Sequence, residues 1–228
     1  MRRGVPLLVF GVLLAAGTAG AQSRPFDVTA ADGARLKATY ASPGRPGPGV
    51  LLLHQCDMNR QAWTTLTASL IERGIHVLAP DQRGQGENAA LPAEYAKLPG
   101  DADAALSALA SQPGVDKNRL AAGGASCGVD RAVQLARRTG QIKALVLLSG
   151  PTSDAGMEYI QGSGIPVFLA FSADEGGPLP TMKAGVAASK NASTIIREFA
   201  RAGHGVPMFT AEPTLLPELA DWLAKVLR

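Results

Sequence analysis

Leu120-Ala121-Ala122-Gly123-Gly124-Ala125-Ser126-Cys127-Gly128 contains Gly124-x-Ser126-x-Gly128, the form of a nucleophile elbow. Such an elbow is a sharp turn from strand to helix that lifts a serine hydroxyl above the end of a sheet. The glycines answer to sterics. Backbone passes close on both sides of the serine, and a Cβ at either flank would collide. A chain with 26 glycines produces this pentapeptide by chance often enough that its neighbours must decide its meaning. Before it, residues 120–123 read as a short apolar strand. After it, residues 129–138 read as a helix whose last turn is basic, which complements the helix dipole.

The alternation of strand and helix continues in both directions. Residues 26–29 and 36–40 flank the turn at Asp32-Gly33 and predict an opening hairpin. Val50-Leu51-Leu52-Leu53 is an uninterrupted apolar run, as expected of a strand buried on both faces of a parallel sheet. Further strands are expected over 76–79, 144–148, 167–171 and 194–199, and further helices over 61–73, 101–110, 182–189 and 215–227. The pattern predicts an α/β fold with a mostly parallel sheet, helices on both faces and an antiparallel hairpin at one edge. Only about fifteen residues separate Ser149 from Ile165, too few for a substantial lid.

At 228 residues, 46% of them hydrophobic and 18% charged, the chain fits one globular domain with a sizeable core. Its N-terminus carries the marks of a secretory signal over residues 1–21. Arg2 and Arg3 precede an apolar stretch over 7–16, and Ala19-Gly20-Ala21 supplies a cleavage site before Gln22. The apolar stretch is shorter than the roughly 18 residues of a spanning helix, so no stable membrane anchor is expected after cleavage. The expectation is a secreted or periplasmic protein. Cleavage would lower the formal net charge from +3 by the two arginines, and so near neutral a protein is no candidate for binding nucleic acid or anionic membranes. Nothing in the sequence sets an oligomeric state.

A serine hydroxyl attacks only when a base takes its proton, so Ser126 needs a histidine. There are three. His54 closes one strand and His76 opens another, whereas His204 lies in a loop leaving the last strand, where an open parallel sheet forms its site. His204 is the expected base. The third member should be a carboxylate that follows a strand between Ser126 and His204. Asp174 is the first choice, Glu175 beside it the second, and Asp154 in the preceding loop is less suited. The acid fixes the imidazole tautomer and stabilises the imidazolium. One oxyanion donor is expected from the N–H after the nucleophile, that of Cys127.

With these residues assembled, the chain resembles the α/β-hydrolases, of the small lidless type found among carboxylesterases and dienelactone-hydrolase-like proteins. The resemblance extends over 26–228. Leu53-His54-Gln55-Cys56, with Trp63 downstream, resembles the H-G-x segment that ends the family's third strand. Residues 79–86, through Asp81-Gln82-Arg83-Gly84-Gln85-Gly86, resemble its D-x-R-G-x-G turn, a structural element. Two departures stand out. Gln55 occupies a place where many members carry glycine, and a cysteine, Cys127, follows the serine, whereas dienelactone hydrolases proper use a cysteine nucleophile at the position of Ser126.

The resemblance implies that the second oxyanion N–H belongs to Cys56. The chain's two cysteines would then sit on its two oxyanion donors, near enough to bridge. A Cys56–Cys127 disulfide holding the oxyanion hole and a pair of buried free thiols are both consistent with this placement. The expected function is hydrolysis of small carboxylic esters through a Ser-His-Asp triad and an acyl-enzyme, with no metal or organic cofactor implied. Dienelactone-type, peptidase and thioesterase activities share that chemistry. A non-catalytic binding module on the same scaffold is the alternative of another class.

Overall fold

In the computed structural model, which describes Met1 and residues 21–228, the strand before Ser126 lies at the heart of an eight-stranded sheet. The strands are β1 (Gln22–Thr29), β2 (Arg35–Ser42), β3 (Gly47–Leu53), β4 (His76–Pro80), β5 (Val115–Ala125), β6 (Ile142–Leu148), β7 (Val167–Ser172) and β8 (Ile195–Phe199). Their spatial order is β1-β2-β4-β3-β5-β6-β7-β8. The hairpin of β1 and β2 joins β4 antiparallel, and every pair beyond it is parallel. The signal segment expected over 1–21 lies outside the described residues except for its two ends.

The side-chain alternation of the strands builds two apolar layers. Leu51, Leu53, Leu145, Leu147 and Leu169 face one side, together with α2 (Leu98–Ala110), α3 (Cys127–Thr139), α4 (Asp154–Ser163) and α5 (Leu179–Ala187). Val50, Leu52, Val146, Leu148 and Phe168 face the other, which is covered by α1 (Thr64–Glu72) and α7 (Leu215–Val226). Short α6 (Met208–Ala211) adds Met208 to that second layer. A shift of one residue in any central strand would exchange the layers, so the register is fixed by burial.

Two helices were not expected, the short α6 and a longer one. The connection between β6 and β7 contains α4, which packs against α3 and α5. Its glycines at 156 and 162 dilute the helical pattern. Gly156 is required by packing, since a Cβ there would lie 2.0 Å from Thr152 Oγ1. The helix begins where Ser153 Oγ accepts the Gly156 N–H at 3.3 Å and ends at Gly164, whose φ is +68°. It covers the sheet face rather than the cleft, and no cap domain is present among the described residues. Nor is any helix there long and apolar enough to cross a membrane.

Candidate active site

Strand β5 ends at Ala125 and helix α3 begins at Cys127, leaving Ser126 alone at the bend with φ +50° and ψ −119°. This backbone is strained for a residue with a Cβ, and it holds because the contacts around it are backbone to backbone. A Cβ on Gly124 would lie 2.0 Å from the Gly128 carbonyl oxygen, and one on Gly128 would lie 2.3 Å from that of Leu53. The motif's two glycines are therefore obligatory. A third glycine escaped the sequence reading: a Cβ on Gly150 would lie 2.3 Å from the carbonyl oxygen of Ser126.

Cys56 and Cys127 are joined by a disulfide with their Cα atoms 5.9 Å apart. The bridge links the loop after β3 to the first turn of α3. The N–H groups of Cys56 and Cys127 engage no other group among the described residues. At Cys127 the partial positive charge of the helix N-terminus adds to the N–H. Arg131, one turn along α3, reaches both sulfurs, Nη1 lying 3.6 Å from Cys127 Sγ and Nη2 3.8 Å from Cys56 Sγ. Burial holds its pKa below the usual guanidinium value.

On the opposite side of the cleft, His204 sits between Gly203 (φ +81°) and Gly205 (φ +68°). Its Nδ1 donates to Glu175 Oε2, so Glu175 is the carboxylate that reaches His204. This corrects the first choice made from sequence. Asp174 turns away and pairs with Arg201 at 3.2 Å, on the surface. The reason is local. Residues Ala173–Glu175 form a single 3-10 turn after β7, and Ser172 with Glu175 has the spacing of a capping box. The third residue of such a turn folds its side chain back over the strand end, so Glu175 Oε1 accepts the Ser172 N–H at 3.0 Å. The same oxygen accepts the Ser149 hydroxyl at 2.8 Å. Ser149 is buried and, like Ser126, holds a positive φ of 50°.

The remaining candidates take structural places. His54 is fully buried at the start of the loop after β3; its Nδ1 donates to the Gln55 carbonyl at 2.7 Å and its Nε2 accepts the Gln82 N–H at 3.0 Å. His76 is buried against Tyr40. Arg83 of the D-x-R-G-x-G turn is clamped by Asp101, at 2.6 and 2.9 Å, and by Asp32. Those bonds hold its pKa above the guanidinium range. Asp154 lies in the first turn of α4.

Ser126, Cys127, Glu175 and His204 line one open cleft of about 600 Å³, with Pro151, Pro178 and Leu179 as an apolar wall. That volume suits a small organic ligand. The sequence model of the dienelactone hydrolase family matches residues 36–212. The chain belongs to the dienelactone hydrolase family. Dienelactone hydrolase from Anabaena variabilis superposes with a TM-score of 0.72 at 19% identity, covering 91% of this chain and 99% of that one. A dienelactone hydrolase-like promiscuous phosphotriesterase from metagenomic libraries superposes at 0.70 with 23% identity, over 92% and 100%. At such identities the likeness bears on the fold, that of the α/β-hydrolases. An uncharacterized protein of Mycobacterium tuberculosis is 36% identical over 138 residues, 60% of this chain. The aligned region is 48% of that relative's length, so the match spans about half of it. Within this family of hydrolases, the present member carries serine at the elbow and a bridged cysteine beside it.

Proposed function

We propose that the protein is an exported serine hydrolase of small carboxylic esters, with Ser126, His204 and Glu175 as its triad. The observation that carries this reading is the bond from His204 Nδ1 to Glu175 Oε2, at the edge of the cleft that holds Ser126. With Nδ1–H donated to a carboxylate, Nε2 is the unprotonated nitrogen and serves as the base. Ser126 Oγ attacks the ester carbonyl while His204 Nε2 takes its proton. The oxyanion forms against the N–H groups of Cys56 and Cys127. His204 then protonates the departing alkoxide, and a water activated by the same nitrogen releases the acid.

Two further observations support the assignment. Cys127 is bound in a disulfide and has no thiol to offer, which favours serine chemistry over the cysteine chemistry of dienelactone hydrolases proper. A bridge also suits an oxidising compartment, in line with the signal-like N-terminus. The wall of Pro151, Pro178 and Leu179 favours a short apolar acyl or alcohol group, and the lack of a cap over the cleft among the described residues argues against a long-chain lipase.

A fluorophosphonate probe tests the proposal. It is expected to modify Ser126, and Ser126→Ala should abolish both modification and ester turnover while leaving thermal unfolding unchanged. A folded wild-type protein that resists the probe and cleaves no ester in a short-to-long acyl panel would instead favour a binding module.

A further inference from the structure

Gln55 has a buried side chain that the triad chemistry does not use. Its backbone lies between His54 and Cys56, on the loop that carries one proposed oxyanion donor. Its side chain leaves that loop and reaches the segment that carries the base: Oε1 accepts the N–H of Val206 at 3.0 Å, across 151 residues of sequence. The other end of the amide is held as well, because Nε2 donates to Asp57 Oδ1 at 2.9 Å. The amide is thus fixed in one orientation, and its oxygen is committed to Val206.

The segment that receives this bond needs it. His204 stands between two glycines of positive φ, the least restrained type of backbone. Upstream, Ser172 Oγ accepts the Ala202 N–H at 2.7 Å and donates to the Gly203 carbonyl at 3.0 Å. Downstream, the bond from Val206 to Gln55 is the matching restraint. Gly205 is shaped to it, since a Cβ there would lie 2.3 Å from Gln55 Oε1. The next residue along the loop, Cys56, is bonded to the elbow. Gln55 and Cys56 together therefore reach both of the other catalytic segments.

We propose that Gln55 is a positioning residue that registers His204 against the oxyanion donors. It touches no reacting atom. It ties the base loop to the oxyanion loop, while the disulfide ties the oxyanion loop to the nucleophile. This inference rests on the serine-hydrolase reading above and adds a residue to it. Catalysis is sensitive to such registration, and a displacement of about 1 Å can cost on the order of 100-fold.

The test compares variants at position 55 for kcat, KM, fluorophosphonate labelling rate and thermal unfolding. Gln55→Met fills a similar volume without an acceptor, and Gln55→Asn remains polar but is a methylene too short to span to Val206. Each folded variant is expected to lose roughly tenfold or more in kcat and in labelling rate, with KM changed by less than about threefold. Gln55→Glu combined with Asp57→Asn restores an acceptor for Val206 and a donor at position 57, and should recover most of kcat. A purely structural role would lower the unfolding temperature without that split or that rescue. If either folded variant keeps kcat within about twofold of wild type, the proposal is overturned. Failure of the underlying reading is distinct, because wild-type Ser126 would then go unlabelled.

Discussion

On the nucleophile side of the cleft, positions are set by backbone against backbone and by a covalent bond. Gly124, Gly128 and Gly150 admit carbonyl oxygens to within 2.3 Å of where a Cβ would stand, and the disulfide closes the corner. On the base side, side chains do the setting. Glu175 is oriented by Ser149 and Ser172, and His204 by Glu175, all through hydrogen bonds. The first kind of construction tolerates almost no substitution at its glycines but leaves no choice of conformation. The second can be altered one bond at a time, which makes it the side where catalysis can be graded by mutation.

The largest contrast should appear between two adjacent carboxylates. Glu175→Gln removes the charge that holds the His204 tautomer and is expected to lower kcat by roughly 10²- to 10⁴-fold, as loss of a triad acid does. Asp174→Asn breaks only an exposed pair with Arg201 and should leave kcat within about twofold. Steady-state kinetics on one short-chain ester decides between them. Should Asp174→Asn be the damaging change, the assignment of the acid is wrong.

The two sides also differ in what the sequence disclosed. Strands, sheet class and elbow were legible because burial and close approach leave compositional marks, such as apolar runs and paired glycines. His204 was singled out because it leaves the last strand in a loop, and the structure places it on the cleft that Ser126 lines. Asp174 was ranked above Glu175, the carboxylate that His204 meets, because strand position alone cannot separate two neighbouring carboxylates. Their directions differ by a third of a 3-10 turn. The usable signal was Ser172-Ala173-Asp174-Glu175, whose S-x-x-E spacing folds the glutamate back. Ser149 and the role of Gln55 had no signal, because each acts on a partner brought near only by the fold. The α4 helix was missed because two glycines weakened its pattern.

Removing the disulfide probes the nucleophile side at intermediate cost. The 71-residue separation implies an upper figure of roughly 4 kcal/mol from loop entropy, so reduction or Cys56→Ala with Cys127→Ala should lower the unfolding temperature by up to about 10 °C. Both backbone N–H groups survive these changes. If the bridge also aligns them, kcat on the still-folded protein falls by roughly tenfold with little change in KM. Loss of stability with kcat intact would restrict the bridge to holding the fold.

The smallest effect expected is a dependence of stability on pH, and it comes from the two buried histidines. His54 and His76 both have pKa values below the ordinary imidazole value, burial being the largest cause in each. At His54 the bond to the Gln55 carbonyl and the charge of Asp81 pull the other way, while Arg131 and Arg60 add to the lowering. In both rings each nitrogen is already committed in the neutral form. Tyr40 Oη donates to His76 Nδ1 at 2.7 Å, and His76 Nε2 donates to the Arg45 carbonyl at 3.1 Å. A second proton on His54 would face the Gln82 N–H, and one on His76 would make the Tyr40 hydroxyl give up its donated bond. Because the folded pKa is depressed, the unfolded chain binds more protons, and stability rises with pH in that window. The contribution is complete above about pH 6.5 and is lost as pH falls through the folded values. Thermal unfolding should therefore drop by a few degrees between pH 7 and pH 5, and His76→Gln should make that slope shallower. An unchanged slope in the variant would mean that His76 titrates alike in the folded and unfolded chain.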